Sequence, residues 1–297
     1  MSLPAAFVSV IMIWSTTPLA IKWSSVGIAP SFAVLSRMAI GTLLCGVLLA
    51  LLRERFPVHR KAWQAYLVSG ISMFGAMALT YWSAQFVSSG MISVMFGLSP
   101  LLTSFAAMLW LKEEGALSPA KLAGMLLGVA GLALVFRGGL GLGEGALSGL
   151  IALFIAVTSQ SLGLVWLKKI GDDSPPLATT MGSLVIALPL FFVAWWFADG
   201  HLPAEIPARA AAATLYLATF GSVLGFVLYY YMIKHMEAGR IMLITLITPV
   251  MALLLGHGLN QEEVLPHVWF GAAFILLGLS MHRWGARWQE AVSGWRN

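Results

Sequence analysis

Residues 90–114, GMISVMFGLSPLLTSFAAMLWLKEE, and residues 239–263, GRIMLITLITPVMALLLGHGLNQEE, are one design written twice. Each opens on glycine, carries a proline near its middle and closes on two glutamates. Between those marks each runs apolar for about the 20 residues that a helix needs to cross a bilayer. Gly90, Pro100, Glu113 and Glu114 align without a gap with Gly239, Pro249, Glu262 and Glu263, at an offset of 149 (239 − 90). Tyr81 and Tyr230 keep that offset. Pro119, Gly124 and Gly131 meet Pro266, Gly271 and Gly278 at 147 (266 − 119). The chain therefore divides into two copies of one unit, residues 1–143 and residues 144–297, the second ending in a short tail.

Composition says what kind of unit this is. The chain is 59% hydrophobic and 10% charged, with a mean hydropathy of +0.88. Soluble domains carry about 25% charged residues, so a water-soluble globule is excluded. Ten apolar segments follow one another, at 4–22, 31–52, 63–84, 90–111, 120–137, 147–168, 177–198, 210–234, 239–258 and 266–284. The expected fold is an all-α polytopic membrane protein of ten transmembrane helices. Short breaks of turn chemistry separate the segments, such as Gly171-Asp172-Asp173-Ser174-Pro175-Pro176. The single cysteine, Cys45, provides no disulfide framework and no metal cluster. The first segment has no basic start and no small-residue cleavage site, so it reads as a retained span.

Lysine and arginine set the orientation, because cytoplasmic loops collect them. With the N-terminus cytoplasmic, 13 of the 17 fall inside: Arg53, Arg55, Arg60, Lys61, Lys112, Lys121, Lys168, Lys169, Lys234, Arg240, Arg283, Arg287 and Arg296. Lys22, Arg137 and Arg209 fall outside, and Arg37 lies within a span. The sequence pI of about 9.5 is thus a topology signal and gives no reason to expect nucleic acid as a partner. Ten spans put both termini in the cytoplasm. Five spans per copy is an odd number, so the second copy crosses in the opposite sense. The expectation is two inverted five-helix repeats, an architecture that many secondary transporters share, with the substrate site near the midplane between the halves.

At these residues the chain resembles the EamA family of the drug/metabolite transporter superfamily. The first span reads IWSTTPLAIKW (Ile13 to Trp23), and the second carries Ser36-Arg37-Met38-Ala39 with its arginine near the helix start. The fourth and ninth spans share the glycine-to-proline helix with following acids. The fifth and tenth share spaced glycines, Gly124, Gly128 and Gly131 with Gly271 and Gly278. The chain departs from the family pattern at Glu113-Glu114, where one acid is typical, and at Gly256-His257-Gly258, which is expected to break the ninth helix end. The resemblance implies ten spans, a place in the cell inner (plasma) membrane, and export or exchange of small metabolites, including amino acids.

Candidate site residues are those that an apolar span has no reason to carry. Pro100 and Pro249 each remove a backbone donor, and Ser99 and Thr248 precede them at equivalent positions. Arg37 is charged inside an apolar run, at a cost of at least ~2.5 kcal/mol, which makes it a functional candidate, or else it snorkels to the interface. Tyr81 and Tyr230 are repeat-equivalent and are expected to face one pocket from opposite sides. Trp14, Thr158, Gln160 and Thr245 complete the proposed cavity lining, against the plainer role of holding helices together. Lys22 ends the first span and reads as an interface anchor. The glycine sets read as close helix packing, within the chain or at a homodimer face. All twelve acids fall in loops or at span ends, and the six histidines do not converge, so no metal and no cofactor are expected. No Walker loop, dinucleotide fingerprint or nucleophile elbow appears.

The expected function is therefore a secondary transporter, not an enzyme, moving amino acids or similar amphiphilic solutes by alternating access through a cavity between the halves. Its partners are the lipid bilayer and a small-molecule substrate. The alternatives are a membrane scaffold or receptor, favoured if the space between the halves is packed solid with leucine and phenylalanine, and an intramembrane enzyme, for which no acid, base and nucleophile converge. Reporter tags fused behind the fifth and the tenth spans are expected on opposite faces of the bilayer. Both tags on one face would remove the inversion.

Overall fold

A computed structural model describes residues 2–111, 119–139, 144–225, 227–228, 231–232 and 238–294. Tyr230, Glu113 and Glu114 lie outside the described residues. The chain is an all-helical multi-pass membrane protein, with no strand among the described residues. Lipid dictates this, since no water is available to satisfy an exposed N–H or C=O and only a helix closes its own hydrogen bonds. Six helices are long and apolar enough to cross a membrane: Leu3–Ser24, Pro30–Leu51, Arg60–Ser83, Ser89–Trp110, Ala146–Ile170 and Pro176–Ala198. Four shorter apolar helices, Leu122–Arg137, Ala208–Leu224, Ile244–Asn260 and Pro266–Met281, take the remaining places.

In chain order the elements are α1 (Leu3–Ser24), α2 (Pro30–Leu51), α3 (Arg60–Ser83), α4 (Ser89–Phe96), α5 (Ser99–Leu111), α6 (Pro119–Gly139), α7 (Ala146–Ile170), α8 (Pro176–Ala198) and α9 (Ala208–Tyr216). A π-helical segment (Leu217–Leu224), α10 (Ala238–Asn260) and α11 (Pro266–Gly294) follow. Proline opens α2, α6, α8 and α11, where its missing N–H is one the helix leaves unpaired anyway. Gly171, at φ 59°, closes α7 in the left-handed conformation that glycine adopts freely.

Two segments depart from the expected unbroken spans. The fourth is two helices, interrupted at Gly97-Leu98. Pro100 cannot donate to the carbonyl of Phe96, four residues back, and α4 ends at that residue. Pro249, its counterpart, sits inside α10 without ending it. The eighth widens into the π-helical segment, where the Gly225 N–H reaches back five residues to the Phe220 carbonyl. The expectation that Gly256-His257-Gly258 breaks the ninth helix is corrected, because α10 runs through all three to Asn260. The stop comes at Gln261, at φ 52°, after which the Glu262 N–H returns to the Gly256 carbonyl at 3.1 Å.

Packing joins the two halves throughout. The α6 helix lies along α11, α3 packs on α7 and α8, and α2 packs on α8 and the π segment. In turn α1 packs on α10 and α9, α4 on α10, and α5 on α7. Apolar burial gives helices no preference for one another over lipid, so association depends on small residues that let backbones approach. A Cβ on Gly131 would lie 2.6 Å from the Gly271 carbonyl oxygen, and one on Gly278 would lie 2.5 Å from that of Gly124. Gly124 and Gly131 of α6 thus meet α11 of the same chain, while a Cβ on Gly128 would meet Leu101 of α5. Numbers rising along α6 fall along α11, so the two run antiparallel. The same holds for α4 and α10, where Gly90 meets Leu253 and Gly97 meets Pro249. It holds again for α2 and α8, where Phe32 packs on Trp195 and the Cys45 thiol points at the Leu177 carbonyl, 3.7 Å away.

Gly131→Ala is expected to cost about 1–3 kcal/mol, because the added methyl meets backbone that cannot give way. Gly258 has nothing within 4 Å of an added Cβ, so Gly258→Ala is expected to be neutral or to stabilise by roughly 0.5–1 kcal/mol. Thermal unfolding of the detergent-solubilised protein measures both. Equal effects would contradict the crossing.

Candidate functional site

One end of the bundle is fastened around a single carboxylate. Glu262 follows α10 and is 8% exposed. Its Oε2 accepts from both the backbone N–H and the hydroxyl of Ser89, each at 2.8 Å. Its Oε1 accepts from Asn260 Nδ2 at 3.0 Å and lies 3.8 Å from Lys22 Nζ. Ser89 is the first residue of α4, so the carboxylate sits where the helix exposes unpaired N–H groups and its partial positive charge. Gly256 makes this possible, since a Cβ there would lie 2.5 Å from Oε2 and 2.6 Å from the Ser89 hydroxyl. Lys22 also donates to the Val87 carbonyl at 2.8 Å. It therefore ties α1 to α4 and α10 in addition to closing its own span. Around this core Trp23 Nε1 donates to Asn260 Oδ1 at 2.9 Å, and the Arg209 guanidinium lies 4.3 Å over the Trp23 ring. The cluster joins α1, α4, α9 and α10.

The opposite end is tied differently. His59, before α3, meets Asp172, after α7, at 2.9 Å. Burial pushes the Asp172 carboxyl up, but hydrogen bonds from Ser174 and His59 outweigh it and hold it below the ordinary carboxylate range.

Between the ends lies a buried polar group. Arg37 of α2 is 3% exposed. Its Nε donates to Ser222 Oγ of the π segment at 3.0 Å, while Nη1 has no partner. Its Nη2 lies 3.3 Å from where a Cβ on Gly221 would stand, and Thr17 Oγ1 lies 3.7 Å from the same point. One turn further on, Trp14 Nε1 is 3.2 Å from the corresponding point on Gly225. Thr16 Oγ1 and the Tyr216 hydroxyl share a hydrogen bond at 2.6 Å just beside them. Thus α1, α2 and the eighth span bring Trp14 and Arg37 together, with Thr17, Ser222 and two glycines.

The other candidates form separate groups. Tyr81 is 1% exposed in the apolar core and its hydroxyl has no partner. Ser99 meets Ser161 across α5 and α7 at 3.3 Å, just before Pro100. On α7, Thr158 bonds back to the Phe154 carbonyl at 2.8 Å, and Gln160 Oε1 is buried without a partner. Thr248 is buried, Thr245 half-buried, and Pro249 packs against Gly97. The cleft lined by Gly46, Phe56, Trp63, Tyr66 and Met181 lies at the His59 end, away from Arg37. Its one hydroxyl, on Tyr66, is spent on the Pro57 carbonyl at 2.9 Å. Among the described residues no three histidine, cysteine, aspartate or glutamate side chains gather as a metal site would require. Sequence reasoning missed Glu262, Ser89, Asn260 and Ser222. The Gly221-Ser222 pair, set in an apolar run, was the one available signal for the last.

A family model described as the EamA-like transporter family matches residues 3–137 and again residues 147–283. An uncharacterized transporter of Bacillus subtilis, YoaV, is 22% identical, over 93% of this chain and 94% of its own. An S-adenosylmethionine/S-adenosylhomocysteine transporter of Chlamydia muridarum is 25% identical, over 90% of this chain and 86% of its own. Among solved structures, one crystal structure aligns with a TM-score of 0.68 at 20% identity, over 97% of this chain and 99% of that one. It shares the fold.

Glu262→Ala is expected to cost about 3 kcal/mol, because it strips Ser89 and Asn260 of their acceptor and Lys22 of its counter-ion. Lys22→Met leaves the carboxylate its hydrogen bonds from Ser89 and Asn260, so it is expected to cost less. Thermal unfolding of both variants gives the order. A larger loss from Lys22→Met would contradict this account of the cluster.

Proposed function

Because the chain belongs to the EamA-like transporter family, we propose that it is a secondary transporter working by alternating access between two inverted five-helix repeats, residues 1–143 and 144–297. The observation that carries this reading is the antiparallel crossing of equivalent helices. The spans at equivalent places in the two copies, α2 with α8, α4 with α10 and α6 with α11, meet antiparallel. The remaining principal contacts exchange with one another when the halves are swapped: α1–α10 with α7–α5, α1–α9 with α7–α3, and α2–π segment with α8–α3. That pattern fits a two-fold axis lying in the membrane plane, which gives a transporter two equivalent gates.

The distribution of lysine and arginine assigns the Glu262 end to the outside and both termini to the cytoplasm of the cell inner membrane. Glu262 with Lys22, Ser89 and Asn260 is then the outer latch. The repeat offset assigns the inner one to Glu113 (262 − 149), with Lys168 and Lys169 in the last turn of α7 as Lys22 is in the last turn of α1. We assign to the path between them Trp14, Arg37, Tyr81, Ser99, Thr158, Gln160, Thr245 and Thr248, with Tyr230 by its place in the sequence alone, and Pro100 and Pro249 as the residues that shape the fourth and ninth spans. Its aromatic and hydroxyl groups suit a small amphiphilic metabolite. The relative named for S-adenosylmethionine and S-adenosylhomocysteine moves solutes that carry an amino-acid group, which supports amino acids and their derivatives as the class exported or exchanged.

Proteoliposomes holding the purified protein test this against a panel of amino acids and amino-acid derivatives, with and without a pH gradient. The expected result is saturable flux of at least one solute and a lower rate for Tyr81→Ala, whose ring leaves the path. No flux of any solute in either direction would overturn the transport reading.

A further inference from the structure

Resting on that transport reading, we propose that Arg37 is the subsite for a carboxylate on the transported solute. The guanidinium is buried within its span, with Nε on Ser222 and Nη1 without a partner. The ion pairs among the described residues are Lys22–Glu262 and His59–Asp172, so no described acid balances the charge. Guanidinium has five N–H donors and no acceptor. Holding α2 to the π segment takes only the bond to Ser222, and a neutral side chain serves for that. A full charge placed here without a counter-ion has no structural use, whereas an arriving anion satisfies it.

Geometry narrows the ligand. With Nε taken, the edge between Nη1 and Nη2 remains, and its two parallel N–H groups match the two oxygens of a carboxylate. The backbones of Gly221 and Gly225 lie close against Nη2 and the Trp14 indole, where a Cβ would stand 3.3 and 3.2 Å away. Along this glycine face the charged edge is followed, one turn on, by an aromatic wall. Thr17 Oγ1 donates to the Ile13 carbonyl at 2.7 Å, which turns its lone pairs outward to accept from a solute amine. One cation with no second basic side chain beside it among the described residues suits a monoanion rather than a phosphate dianion. The preferred solute is a small zwitterion or monocarboxylate with an apolar body.

Thermal unfolding of the full-length protein in detergent tests the assignment. The probes are leucine, phenylalanine and methionine, each beside its carboxamide, for wild type, Arg37→Gln and Arg37→Lys. In wild type at least one carboxylate is expected to stabilise at about ten-fold lower concentration than its amide, the ratio of one charge-assisted hydrogen bond. Arg37→Gln is expected to bring the two within about two-fold, with the same principle at work. Arg37→Lys keeps the charge and loses the fork, so it weakens the carboxylate and leaves the amide unchanged, a contrast still readable if Arg37→Gln fails to fold. Equal stabilisation by acid and amide in wild type, no stabilisation by any carboxylate, or a preference that survives in Arg37→Gln overturns the assignment. Undiminished flux of a carboxylate-bearing solute through Arg37→Gln would do the same and leave the transport reading standing. Absence of all flux in the proteoliposome panel removes the transport reading itself.

Discussion

A bilayer offers no water to a stranded polar atom, and Glu262 is where this protein meets that constraint at greatest cost. Its carboxylate is buried yet accepts hydrogen bonds from Ser89 and Asn260, with Lys22 close by. Removing a carboxylate from water costs several kcal/mol, of order 5, unless hydrogen bonds and an opposite charge replace the lost solvation. Those replacements come from α1, α4 and the end of α10, so the charge stays satisfied only while these elements stay together. A polar cluster of this kind has two well-defined conditions, fully made or fully hydrated. That is the property a gate requires.

The rest of the bundle holds itself by closeness rather than by apolar preference. Glycine backbones touch where α6 crosses α11, and Gly90 admits Leu253 where α4 crosses α10. At the α6–α11 crossing the nearest partner atoms are backbone, which cannot give way to an added side chain. The polar groups that break the apolar pattern are concentrated elsewhere, around Arg37 and along α7. A bundle with stiff glycine seams and breakable polar clusters has places to pivot and places to part. The π-helical segment, with Gly221 and Gly225, is the element that Arg37 holds.

The all-helical, membrane-spanning character was legible because lipid thickness and composition leave few alternatives, while the offset at which glycine, proline and glutamate recur is a property of the sequence itself. Pro100 was visible as a lost donor within one span, and the structure divides that span into two helices there. Pro249 did not interrupt its helix, since neighbouring helices and hydroxyl side chains let a membrane helix tolerate one lost donor. Gly256 and Gly258 looked like a helix end because glycine lowers helix propensity. The structure uses Gly256 as space for a carboxylate and a hydroxyl, which no local pattern encodes. Glu262 looked like a loop acid for a similar reason. Its burial comes from Ser89, 173 residues earlier in the chain. Arg37 was visible as an anomaly, but its partner Ser222 was not, because pairing between spans depends on which faces meet.

The central claim is that the Glu262 cluster closes one end of the bundle independently of the other. Electron–electron distance measurements test it most directly, with spin labels at Ser25 and Leu259 for that end, and at Leu109 and Lys169 for the opposite end, in protein whose native Cys45 is replaced by alanine. On introducing Glu262→Gln, the Ser25–Leu259 distance should lengthen while the Leu109–Lys169 distance stays or shortens. An unchanged Ser25–Leu259 distance, or lengthening at both ends together, would contradict it.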